Sequence, residues 1–175
     1  MDKPQSGLSF KMMSLMFKFR DLIRPRGNIL REVGLKPGDR VLDFGCGPGG
    51  YIPATARLIG KSGEIYALDI NPQAIESVRK LATKKKLGNV ETIVSDCATG
   101  LTGATMDAVL LYDVLHHLKK LDDVLSELYR VLKPEGVLSV TDHHLTEAEI
   151  AARITGTGRF RLLPESKRVY NFSKV

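Results

Sequence analysis

Residues 40–51 read Arg40-Val41-Leu42-Asp43-Phe44-Gly45-Cys46-Gly47-Pro48-Gly49-Gly50-Tyr51. A short apolar run carries a carboxylate near its end and then breaks into four glycines between positions 45 and 50. Behind it, Ile52, Ala56 and Ile59 share one face at helical spacing, and Gly60 stands where a helix would stop. The stretch predicts strand, tight turn and helix N-terminus. That unit receives nucleotide-like ligands at the carboxyl edge of a parallel sheet. Glycine suits the turn because unusual backbone angles are required and a ligand must reach main chain without meeting a Cβ. The unpaired N–H groups of the helix start favour a phosphate or a carboxylate.

Two patterns overlap on these glycines. Gly45, Gly47 and Gly50 satisfy G-x-G-x-x-G, whereas Asp43, Gly45, Gly47 and Gly49 give D-x-G-x-G-x-G. The flanking chain separates them. Glu64 to Asp69 reads as a second buried strand, with Asp69 at its tip, placed to accept two hydrogen bonds from a ribose diol. Asn71 caps the next helix and Pro72 opens it; Ile75, Val78, Leu81 and Ala82 form its inner face, and Gly88 is expected to end it. Val90 to Val94 is a third strand, followed by Asp96 and Cys97. The link to residue 105 is close to the minimum for a parallel crossover, which needs about a dozen residues. Met106 to Leu111 is a fourth strand, leading into Tyr112-Asp113-Val114-Leu115-His116-His117-Leu118. Val124, Leu125, Leu128, Val131 and Leu132 mark a helix, Lys133 to Gly136 a turn, and Val137 to Val140 a fifth strand. A helix from Thr146 to Ile154 precedes a hairpin of Phe160–Leu163 and Val169–Phe172.

The acid-led glycine pattern, Asp69, Asp96-Cys97, the M-D-x-V strand with its Leu-His-His loop, and R-V-L-K-P-x-G follow one another over residues 36–142. In that order they resemble the class I S-adenosylmethionine-dependent methyltransferases, small and type 11/31-like. The resemblance implies an α/β fold: a Rossmann-like seven-stranded sheet, mostly parallel with an antiparallel last strand, flanked by helices. It implies that Asp43, Gly45, Cys46, Gly47 and Gly49 hold the amino-acid end of S-adenosylmethionine. Asp69 and Ile70 would hold the ribose, Asp96 and the Cys97 N–H the adenine, and Asp113 would complete the cofactor set. A nicotinamide-linked oxidoreductase would share the glycine turn and Asp69 but has no regular use for Asp96. A catalytically silent cofactor-binding subunit that docks a partner or a membrane also fits the sequence.

Methyl transfer is an in-line displacement, so alignment supplies much of the rate and a base is needed only where the nucleophile carries a proton. All four histidines fall on two sheet-edge loops, His116 and His117 after the fourth strand, His143 and His144 after the fifth. His116 and His143 are the candidate bases. Asp113 and Asp142-His143 occupy stations similar to those of metal-holding residues in catechol-type O-methyltransferases. Here His stands in place of Asn and the surrounding motif differs, so no metal is expected.

Composition narrows the partners. The net charge is +6 and the sequence pI 9.4, but residues 1–40 hold nine Lys or Arg against four acids, nearly the whole surplus. Lys84-Lys85-Lys86 reads as a solvated helix end, and Asp113-Val114-Leu115-His116 lacks the prolines and aromatic ring of amino-methylating nucleic-acid enzymes. No nucleic-acid partner is expected. Two cysteines exclude a disulfide framework and a multi-thiol arsenite site. No apolar run reaches the ~20 residues that span a bilayer, and a cytoplasmic setting without a signal peptide is expected. The acceptor is read as a small molecule, with an apolar one favoured. Residues 1–27 are set apart from a single methyltransferase domain at 28–175. Within them, residues 10–24 form a Met- and Phe-rich helical pattern that fits a lid, an interfacial membrane helix or a helix docked on the sheet.

Overall fold

The computed structural model describes residues 26–164 and 168–175; the helical pattern read over residues 10–24 lies outside them. Seven strands form one sheet: β1 (Arg40–Phe44), β2 (Glu64–Asp69), β3 (Val90–Val94), β4 (Met106–Tyr112), β5 (Leu132–Thr141), β6 (Phe160–Leu162) and β7 (Tyr170–Lys174). Their order is β3-β2-β1-β4-β5-β7-β6. The first five pair in parallel and the last two antiparallel, as the resemblance implied. The chain builds outward from β1 to β3, then returns to lay β4 on the other side of β1. That reversal opens a crevice above the carboxyl ends of β1 and β4, where ligands of such sheets bind.

Side chains alternate along the strands and feed two cores. Val41, Ile65, Ala67, Ala108 and Leu110 face α1 (Arg26–Arg31), α2 (Ile52–Ile59) and α3 (Pro72–Lys85). Leu42, Phe44, Leu68, Val109 and Leu111 face α4 (Leu121–Val131) and α5 (Glu147–Thr155). The inner face of α4 is Val124, Leu125, Leu128 and Val131, all fully or almost fully buried. Each such side chain contributes about 1.5–3 kcal/mol relative to exposure. Strands buried on both faces explain why their sequences read as near-continuous apolar runs.

Two boundaries differ from the sequence reading. Helix α3 ends at Lys85, capped by Lys86 in the left-handed region (φ 55°), so Gly88 is not its terminator. Strand β5 starts at Leu132, paired with Met106, and slips register before Val137 pairs with Ala108; the expected Lys133–Gly136 turn is an irregularity inside the strand.

The crossover from β3 to β4 contains no helix. It is pinned to α4: Glu127 Oε1 accepts from the Thr99 N–H at 2.8 Å and from its hydroxyl at 2.5 Å. Arg130 donates to the Leu101 carbonyl at 2.8 Å, while the Ala104 N–H donates to the Arg130 carbonyl at 2.9 Å. Arg130 also holds the Glu127 carboxyl far down, to about 2, with help from Thr99.

Candidate active site

The glycine turn is tied to the end of β2. The Gly45 and Cys46 N–H groups both donate to the Leu68 carbonyl, at 2.7 and 2.9 Å. Gly45 (φ 76°) has a second constraint, because a Cβ there would overlap the Val114 side chain. Val114 thereby seats the loop that follows β4 against the turn. Gly47 (φ 52°) is the opposite case, since a Cβ would meet nothing within 4 Å. Its backbone faces open space, which leaves room for a ligand to lie on main chain.

Asp69, 6% exposed, is clasped from both sides: the Gly47 N–H donates to Oδ2 and the Asn71 N–H to Oδ1, each at 2.8 Å. A carboxylate has about four lone-pair sites, so acceptor capacity remains toward a ribose hydroxyl. Burial pushes the Asp69 carboxyl up, and the N–H bonds from Asn71, Gly47 and Ile70 work against that rise. Asp43 is 3% exposed at the end of β1. Between these acids the buried Cys46 thiol is pushed well up, by burial first and then by Asp43 and Asp69. A thiol held neutral in this way is a poor nucleophile. Asp96 is exposed at the tip of β3, and the Cys97 N–H, expected at an adenine nitrogen, donates to Ser95 Oγ at 3.2 Å.

The loops after β4 and β5 are cross-braced. Asp113 follows β4 in the left-handed region (φ 55°), a conformation Asp tolerates better than most residues. Its N–H donates to the Thr141 carbonyl at 2.8 Å. Its Oδ1 meets His143 of the other loop, at 3.2 Å from the backbone N–H and 2.8 Å from Nδ1. In return Asp142, after β5, meets His116 after β4: Oδ2 lies 3.0 Å from the His116 N–H and 2.7 Å from its Nδ1. Asp142 Oδ1 also accepts from the His144 N–H at 3.0 Å. Burial opposes the charge on Asp142, but the bonds from His116 and the backbone outweigh it and hold the carboxyl below its usual range. The His116 ring lies between those of His117 and His144, at 3.8 and 4.2 Å between centroids, with His143 at 6.1 Å. Burial and the neighbouring His116 push His117 down. Directly behind this loop, the Thr146–Glu149 capping box fixes where α5 starts.

Both candidate bases therefore lie in one cluster, each with a carboxylate. Asp113, assigned to the cofactor, holds His143 through Oδ1. Asp113, Asp142 and His143 also place one ligand atom each within 4.8 Å of the others, a spacing suited to a divalent ion. Sequence reasoning named Asp142 at a metal-like station without pairing it to His116, and it missed Val114 and the Asn71 N–H. Asp142 had a signal: it follows an apolar strand as Asp113 does. Val114 had none.

Fold, glycine turn and clasped acid define an α/β domain of the doubly wound kind that binds a nucleotide-bearing cosubstrate at its switch point. Residues 35–169 match the family described as "Methyltransferase domain". A ubiquinone/menaquinone biosynthesis C-methyltransferase UbiE from Hydrogenovibrio crunogenus is 33% identical over 134 residues, covering 75% of this chain and 53% of that protein. A sterol 24-C-methyltransferase from Gibberella zeae is 31% identical over 131 residues, 74% of this chain and 34% of that one. The crystal structure of a SAM-dependent methyltransferase from Aquifex aeolicus superposes with a TM-score of 0.77 at 26% identity, covering 89% of this chain and 97% of that one. The chain belongs to the class I S-adenosylmethionine-dependent methyltransferases. It spans about half the length of the UbiE relatives it matches. The nicotinamide-linked reading finds no support among these relatives. No described helix is long and apolar enough to cross a membrane.

Proposed function

We propose that the protein methylates a carbon of a small apolar acceptor. The observation that carries this reading is the meeting, at one sheet edge, of a glycine turn open over Gly47 with the cross-braced histidines after β4 and β5. S-adenosylmethionine supplies an electrophilic sulfonium methyl. The residues of this chain bind and orient it. Asp69 accepts from the ribose diol, with Ile70 beside it. Asp43 and the backbone of Gly45, Cys46, Gly47 and Gly49 face the amino-acid end, and Asp96 with Cys97 the adenine. The acceptor enters over His116 and His143, which remove a proton where the reacting group carries one. Two relatives whose names specify methylation at carbon, one in quinone biosynthesis and one on sterols, support a carbon nucleophile on an apolar framework. In this reading residues 28–175 carry the transferase and residues 1–27 precede it.

The test is transfer from methyl-labelled S-adenosylmethionine to two acceptors, a prenylated hydroxy-aromatic and a sterol with a side-chain alkene. Label at carbon in either supports the proposal. Label only at oxygen, or in neither while S-adenosylhomocysteine binds, overturns the acceptor class.

A further inference from the structure

The two Asp–His pairs are alike in connectivity and unlike in environment. The Asp142 side chain is fully buried and that of His116 is 17% exposed, whereas Asp113 and His143 stand at 15% and 57%. Asp142 binds the His116 backbone N–H and Nδ1 with one oxygen and the His144 N–H with the other, so the carboxylate cannot turn away from the ring. An ionised carboxylate only accepts hydrogen bonds. Nδ1 must then carry the proton, and the lone pair of the neutral ring lies on Nε2. Among the described residues Nε2 of His116 has no hydrogen-bond partner. The ring belongs to the loop whose Val114 meets Gly45 of the glycine turn.

From this geometry we infer that Asp142 is a positioning residue that holds His116 in the Nδ1–H tautomer, making His116, rather than His143, the base toward the acceptor. The inference rests on the proposed methyl transfer to an acceptor whose reacting group carries a proton. In the step, the hydroxyl O–H of a hydroxy-aromatic acceptor breaks and Nε2–H forms. The electron pair is shared onto a ring carbon, which bonds to the methyl as the methyl–sulfur bond breaks and S-adenosylhomocysteine leaves. That carbon then loses its proton to solvent, and the oxygen regains one from Nε2–H, the imidazolium being balanced by Asp142 meanwhile. The ionisable groups around His116 are Asp142, His117 and His144, with His143 and its partner Asp113 one ring further out.

The experiment reads the tautomer directly. Ring 15N–1H correlation spectra of the full chain, with His116 assigned by its loss in His116→Gln, give the proton position without any turnover. The expected result is Nδ1–H at His116 in the wild type and loss of that state in Asp142→Asn. A wild-type His116 protonated on Nε2 overturns the inference, and this reading needs no variant to fold. With an acceptor in hand, Asp142→Asn should lower kcat about a hundredfold, the lower end of what a positioned base supplies. It should also leave S-adenosylhomocysteine affinity unchanged. A variant with wild-type kcat overturns the inference. A wild type that turns over neither acceptor class counts against the proposed function, while the tautomer still decides this one.

Discussion

Replacing Gly45 by Ala tests the contact that joins the cofactor turn to the histidine loop. The residue sits at φ 76°, where an L side chain costs about 1–2 kcal/mol. The added Cβ would overlap one γ-methyl of Val114 and lie 3.2 Å from the other. Val114 is buried at 4% exposure and β-branched, so it has few rotamers into which to retreat. Overpacking of this kind costs about 1–3 kcal/mol. The expected loss is therefore about 2–5 kcal/mol, a fall in urea midpoint of roughly 1–2.5 M for an m-value near 2 kcal/mol/M. Val114→Ala alone should cost about 1–3 kcal/mol through lost methyls and the space they leave. In Gly45→Ala/Val114→Ala the new methyl fills part of that space, and the double variant should beat the sum of the singles by at least ~1 kcal/mol. The same strain moves residues 113–117, so Gly45→Ala should also weaken S-adenosylhomocysteine binding, and the double variant should recover part of it. Additive singles, or a Gly45→Ala midpoint equal to wild type, would refute the contact as the reason for glycine.

Three other outcomes are expected. Asp69→Ala should weaken S-adenosylhomocysteine binding by about 1.5–3 kcal/mol, the scale of hydrogen bonds to a charged group; an unchanged dissociation constant by calorimetry sinks the ribose assignment. Glu127 has its folded-state carboxyl held down by Arg130, so it adds stability above its ordinary value of 4.5 that is lost as pH falls toward about 2. Urea midpoints of Glu127→Gln should accordingly sit below wild type at neutral pH and decline less steeply across that window; parallel curves would show that the crossover is held by something else. His143→Ala should leave cosubstrate affinity intact and slow transfer less than His116→Ala does. The reverse order would move the base to His143.

Much of the fold could be read from the sequence because its strands are buried on both faces and its turns carry local chemistry. Asn71-Pro72 announces α3, and Thr146 with Glu149 announces α5, through contacts within three residues. Asp69 was legible for the same reason, as an acid ending an apolar run. The misread boundaries depend on partners distant in sequence. Strand β5 begins at Leu132 because Met106 pairs with it, and no turn signal reports that. Helix α3 stops where Lys86 takes up a left-handed angle, although Gly88 two residues on has the better composition for it. The histidine loops were recognised as neighbours, but the pairing was not. His116 with Asp142 and His143 with Asp113 join residues 26 and 30 apart, and only the register of β4 on β5 brings them together. The overlap of Val114 with the space above Gly45 is a tertiary fit of the same kind.

The most direct measurement is titration calorimetry of the protein with S-adenosylhomocysteine, with NADH as the control. Saturable binding of S-adenosylhomocysteine alone, weakened in Asp69→Ala, is the expected result. Binding of NADH in its place, or of neither ligand, would contradict the assignment of this sheet edge to a methyl donor.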